Sequence, residues 1–336
     1  MRLPAARGPL GEALLHDLAT GSTLSPRTME IAERLGTAPG DVLTDEDVQL
    51  SLAVCYELHY RGFDEVDDAW EWEPELLRLR GILERLHLAA LQELVGPVRE
   101  TDEPIDVQLT AAIAADEGRS LSKFMARHGD LAQWREYLTV RSVYHLKEAD
   151  PHTFAIPRLS GRTKAAMVEI QADEYGGGSA ARMHSELFAG LMRDLDLDAT
   201  YGALWDDAPA VAFANTNTMS LFGLHRRWRG AALGHLATVE MTSSEPSRRY
   251  STGLRRLGFA GSTTVFYDEH VEADAVHEQI ASVDMCGSFV AENPELAADV
   301  LFGARCSLAM DGLAAEHLLG AWESGRSGLR REPALA

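Results

Sequence analysis

The sequence has little cysteine, little positive charge and no long apolar run. Only Cys55, Cys286 and Cys306 occur in 336 residues. They are far apart and form no Cys-x-x-Cys pair, which excludes a zinc ribbon or a redox dithiol and fits a reducing, cytoplasmic setting. Lys and Arg number 31 against 52 Asp and Glu, a formal net charge of −21. That excess repels phosphate backbones and anionic lipid headgroups, so neither nucleic acid nor a membrane is an expected partner, while small cationic or amine-bearing molecules are admissible. No stretch approaches the roughly 20 apolar residues of a membrane span. Pro4, Arg7, Gly8 and Pro9 come before any run of signal-peptide length. Period-two alternation is also scarce, which argues against strands.

What remains is helical periodicity in a chain of ordinary globular composition, 46% hydrophobic and 25% charged. Residues 1–40 mix Pro, Gly, Ser, Thr and Arg with weak periodicity and are expected to form a poorly ordered arm with at most one short helix near 10–18. Thr44 followed by Asp47 resembles a helix start. Apolar residues three and four apart then predict helices over 71–96, 105–116 and 121–148. The region 41–135 carries no chemical motif and reads as an auxiliary helical region, a candidate surface for a homodimer. After Pro151 and Pro157, helices are expected over 164–175 and 180–195, flanking Gly176, Gly177 and Gly178. Further helices are expected over 209–225, 230–242, 263–282, 294–311 and 312–322, with a turn at 253–258 and a tail at 326–336.

The chemistry concentrates in a few places. His270, Asp274 and His277 are four and three residues apart; at about 100° per residue they fall within about 60° of one another on a helix. Glu269, Glu272 and Glu278 lie off that face. An isolated histidine is more often a hydrogen-bonded helix residue than a ligand, but three aligned donors of nitrogen and oxygen without sulfur suit iron or manganese better than a structural zinc. Asp173 and Glu174 precede the glycines and His184 follows them. One unbroken helix places Asp173 nearly over His184 and Glu174 about 80° away. The glycines oppose such a helix and allow Glu174 to swing round, with Asp173 in a supporting or capping role. Glu240, beside Leu236, Val239 and Thr242, requires a partner if buried, and His235 lies near the other side of the same helix. Arg226, Arg227, Arg229, Arg248, Arg249, Arg255 and Arg256 read as surface ion-pairing groups, with a substrate carboxylate as the alternative.

Taken together, Leu-Lys-Glu-Ala-Asp-Pro-His at 146–152, Ile-Gln-Ala-Asp-Glu-Tyr-Gly at 170–176, Met-His at 183–184, Glu240 and His-x-x-x-Asp-x-x-His from 270 resemble the haem-oxygenase-like di-iron oxidases and oxygenases. The resemblance spans residues 144–322. It implies an all-α, haem-oxygenase-like helical bundle over 136–325 with additional N-terminal helices. It implies two Fe(II) ions held by Glu174, His184, Glu240, His270, Asp274 and His277, and O2 as co-substrate. Glu148 stands where members that oxygenate nitrogen place a further carboxylate. Four carboxylates then neutralise two ferrous ions. The implied reaction is oxidation of a small organic substrate with an external electron donor. N-oxygenation of an amine is favoured if Glu148 is a ligand; C–C cleavage or desaturation of an amino-acid-like or fatty-acid-like substrate is the alternative. A non-catalytic metal-binding helical protein is the competing reading from another class. The chain departs from ferritin-like proteins, having no suitable pair of Glu-x-x-His motifs. It also has more acids than the single proximal histidine and haem cleft that the resemblance implies for true haem oxygenases.

Overall fold

The computed structural model of the protein describes residues 1–35 and 41–331, apart from the side chains of residues 272–276. Helices make up 74% of it and no strand occurs among the described residues, so the fold is all-α. In chain order the helices are α1 (Pro9–Thr20), α2 (Pro26–Leu35), α3 (Glu46–Glu57), α4 (Pro74–Val95), α5 (Ile105–Ala114), α6 (Leu121–Arg127), α7 (Leu131–His145), α8 (Asp150–Thr153), α9 (Gly161–Glu174), α10 (His184–Asp194), α11 (Ala210–Leu224), α12 (Arg229–Arg256), α13 (Val265–Gln279), α14 (Ser288–Glu292) and α15 (Ala297–Glu323). A π-helical stretch, Ile280–Gly287, continues α13 and packs on α9. Such stretches in a helix frequently accompany functional sites.

The long α12 is the spine, packed against α15, α13 and α6. It crosses α15 at close backbone range because both helices lack side chains there. A Cβ on Gly234 would overlap the Val300 carbonyl oxygen, and one on Gly303 would overlap that of Ala231. Gly223 of α11 serves α8 in the same way, facing the Pro151 carbonyl. Gly253 explains why the expected turn at 253–258 is absent. It lies inside α12, close to the Met125 carbonyl oxygen and the Trp134 ring, so the glycine serves a close approach instead of a break. Gly312 likewise lies within α15, which runs unbroken through 311 and 312. The helix expected over 121–148 is two, because Asp130 and Gln133 form a reciprocal capping box that starts α7.

The N-terminal residues depart furthest from expectation. Instead of a poorly ordered arm, residues 9–35 form α1 and α2, with Leu10, Leu14 and Leu18 buried. Helix α1 has no side-chain cap of its own at Gly8. The Asp47 carboxylate of α3 accepts from the backbone N–H groups of Leu10 and Gly11 at 2.8 and 2.7 Å, and buried Asp17 accepts from Ser25 and Thr28. A cap supplied from 37 residues away leaves no local signal.

Two buried polar contacts tie this N-terminal layer to the rest. His87 of α4 bonds Gln49 of α3 and Thr218 of α11. Lys147 donates to Glu57 at 3.0 Å, both side chains being almost wholly out of water, and Tyr201 also donates to Glu57. Lys147 is the residue before Glu148, so α3 anchors the segment that carries a candidate ligand.

The glycine contacts predict opposite outcomes for two alanine substitutions. Gly234→Ala should destabilise the fold by about 3 kcal/mol through overpacking. Gly312→Ala, whose Cβ meets nothing within 4 Å, should add roughly 0.5–1 kcal/mol through helix propensity. Chemical denaturation measures both; equal effects of the two would contradict the close crossing of α12 and α15.

Candidate metal centre

Five segments converge on one buried region. After α7 ends, the chain turns through 146–149 with Ala149 at φ +76°, a conformation that costs an L-residue on the order of 1–3 kcal/mol. The turn buries Glu148, whose Oε1 lies 2.8 Å from His145 Nδ1 and whose Oε2 has no hydrogen-bond partner among the described residues. Helix α9 stops at Glu174, and the glycine run folds back into α10, which starts at His184. At Gly176, φ is +67° and a Cβ would meet the backbone of Arg182 and Met183 at 2.6 Å. The position therefore demands glycine. The fold-back brings His184 Nδ1 to 3.0 Å from Glu174 Oε2, so the single-helix alternative that favoured Asp173 does not apply.

Helices α12 and α13 supply the opposite wall. His270 Nδ1 donates to the Phe266 carbonyl at 2.6 Å, which leaves its Nε2 as a lone pair, 3.9 Å from Glu148 Oε1. The His184 and His270 rings are 4.3 Å apart. His277 Nδ1 lies 3.2 Å from Glu240 Oε2, and its Nε2 lies 2.9 Å from Asp173 Oδ2. A carboxylate on the outer nitrogen of a histidine fixes ring orientation and raises the basicity of the inner one.

Ligand-capable atoms of Glu148, Glu174, His184 and His270 lie within 4.8 Å of one another, as do those of Glu174, Glu240 and His277. All six residues are buried. Glu174 belongs to both groups, a shared position that spacing alone does not reveal. The Asp274 side chain lies outside the described residues. His145, which braces Glu148, was detectable only as a histidine three residues before it. His235 is turned away from Glu240 and pairs with His152 at 3.2 Å.

A family model described as iron-containing redox enzyme matches residues 135–312, more than half of the chain. The chain belongs to that family. No curated protein matches it. Family membership makes the protein an iron-containing oxidoreductase with a haem-oxygenase-like fold. No described helix is long and apolar enough to cross a membrane.

For a member of the iron-containing redox enzymes, the donor set fits cations. Among the described residues, the only basic side chains within 4 Å of the three buried carboxylates Glu148, Glu174 and Glu240 are histidines. The unpartnered Oε2 of Glu148 is an acceptor waiting for a charge. Ionisation agrees with this. Burial opposes a charged Glu148, but His145, His270 and His184 hold its carboxyl down at about 2. Burial and the neighbouring His184 keep the His270 imidazole neutral, its pKa below the usual range. Glu148 and His270 thus take the anionic and neutral forms that bind metal, whereas burial raises the carboxyl pKa of Glu240 and His277 would have to give up its proton to a metal. The arginines stand elsewhere: Arg248 and Arg249 pair with Glu245, Arg255 with Asp268, and Arg256 with backbone carbonyls near Gly129. None lines the cavity at the centre.

His277 gives the metal-free protein a pH signature. Burial disfavours its charged form, but the Glu240 hydrogen bond and charge, with Asp173 and Glu174, outweigh it and raise the pKa from 6.5 to about 9. The folded state therefore binds this proton more tightly than the unfolded one. The stability gained is complete below pH 6.5 and is lost as pH rises through 9. Urea unfolding of metal-free His277→Gln should lack this loss; pH profiles that run parallel for wild type and variant would contradict the assignment.

Proposed function

We propose that the protein is a non-haem di-iron oxygenase that uses O2 to oxidise a small organic substrate. The observation that carries this reading is the shared Glu174, which joins two buried donor groups into one region with places for two ions. Glu148, Glu174, His184 and His270 would hold one iron; Glu174, Glu240 and His277 would hold the other, with Asp274 as a further ligand by family resemblance. Two ferrous ions supply, when bound, the electrons with which O2 is reduced.

The chain's own groups prepare the site. The Phe266 carbonyl fixes the His270 tautomer, and Asp173 fixes His277. The apolar rings of Phe188 and Phe266, packed around His145 and His184, keep water from the imidazoles. The position of Glu148 within the first group supports N-oxygenation of an amine over C–C cleavage or desaturation, because it is the nitrogen-oxygenating relatives that the resemblance implies use this carboxylate. An acidic chain is also the better host for a cationic amine. An external electron donor would return the irons to the ferrous state between turnovers.

Anaerobic loading with Fe(II) followed by mixing with O2 tests the reading. Two irons per chain and a transient visible absorption are expected from the wild type. His277→Ala should lose the transient, since removal of a ligating imidazole alters the electronic structure of the site. A wild type that binds iron but stays spectroscopically silent towards O2 would point instead to a structural metal site.

A further inference from the structure

Outside the ligand set, the cavity of ≈ 20 Å³ at the centre is lined by two buried polar side chains that have no part in the reading above, His152 and Gln171. They are 1% and 2% exposed, and each has one nitrogen without a hydrogen-bond partner among the described residues, His152 Nδ1 and Gln171 Nε2. The other polar atom of each is engaged away from the cavity. Gln171 Oε1 accepts from the Thr153 hydroxyl at 2.7 Å, and His152 Nε2 lies 3.2 Å from His235 Nδ1. Neither Thr153 nor His235 lines the cavity. The free nitrogens are therefore what these two residues offer to it.

The backbone has been arranged to bring His152 there. Ala149 adopts its positive φ between Glu148 and α8, and Gly223 lets α8 lie against α11, so one short turn presents both Glu148 and His152 to the same space. The tautomer of His152 follows from its surroundings. A lone pair on Nδ1 is repelled by the nearby Glu148 and Glu174 carboxylates, while an N–H is attracted. In the metal-free protein these carboxylates favour the tautomer with the proton on His152 Nδ1, in which Nε2 accepts from His235 Nδ1–H. Two buried N–H donors left without acceptors each cost about 1–3 kcal/mol, so an acceptor at that place has a clear energetic role.

We propose that His152 and Gln171 form a hydrogen-bonding wall towards a small acceptor ligand bound at the side of the metal centre that faces α8 and α9. This rests on the di-iron reading and assigns the coordination positions facing α8 and α9 as those open to exogenous ligands. His152 and Gln171 are positioning residues, His235 and Thr153 being the groups that orient them.

Nitric oxide, a diatomic probe, tests the inference in the anaerobic Fe(II)-loaded protein. In Gln171→Leu and in His152→Leu, nitric oxide affinity should fall about tenfold, or about 1.4 kcal/mol. The N–O stretching frequency should shift, while iron content and the helical circular dichroism stay at wild-type values. Unchanged affinity and frequency in the folded Gln171→Leu protein overturn the proposal. Loss of iron from folded His152→Leu also overturns it, since His152 would then be a ligand. Should His152→Leu not fold, Gln171→Leu alone decides. A wild type that takes up no iron sinks the di-iron reading itself and is told apart by the metal analysis.

Discussion

Glu148, Glu174 and Glu240 lie almost wholly out of water, and no lysine or arginine pairs with them among the described residues. Removing a carboxylate from water without a compensating charge costs several kcal/mol per ion. Histidine answers only part of that cost, because burial holds His270 neutral. The cluster is therefore under-compensated in positive charge, and much of the surrounding architecture serves to keep these acids together despite their repulsion. Divalent cations would resolve the imbalance, and the cluster is in that respect compatible with membership in an iron-containing family.

The scaffold that enforces this proximity is built from close approaches. Gly234 and Gly303 let α12 and α15 touch backbone to backbone, fixing the helix that carries Glu240. Gly176 permits the fold-back that sets Glu174 beside His184, and the strained Ala149 turns Glu148 inward. Each device spends local conformational freedom at a place where the chain must deliver a donor. The N-terminal helices contribute by holding Lys147 through Glu57, which braces the segment next to Glu148.

The all-α class and most helices were legible because apolar residues recur every three or four positions and alternation is rare. His270 and His277 were legible for the same reason, since a regular helix converts spacing directly into a shared face. Glu174 and His184 needed more, because the geometry lies in a glycine fold-back that has no period. What the sequence did not disclose depends on distant partners. Helix α1 borrows its cap from Asp47, Gly253 and Gly312 look like breaks but sit inside long helices, and Glu174 becomes a shared group only when α9, α10, α12 and α13 are packed. His152 stood in a recognised motif, yet its role depends on His235, 83 positions away.

Whether this charge-starved pocket is a cage for two iron ions arranged about Glu174 is open to direct measurement. Anomalous X-ray diffraction at the iron edge, from crystals of the anaerobically Fe(II)-loaded protein, addresses it most directly. Two anomalous peaks are expected flanking the Glu174 carboxylate, one towards His184 and His270 and the other towards Glu240 and His277. A single peak remote from Glu174, or none in a crystal that carries iron elsewhere, would contradict it.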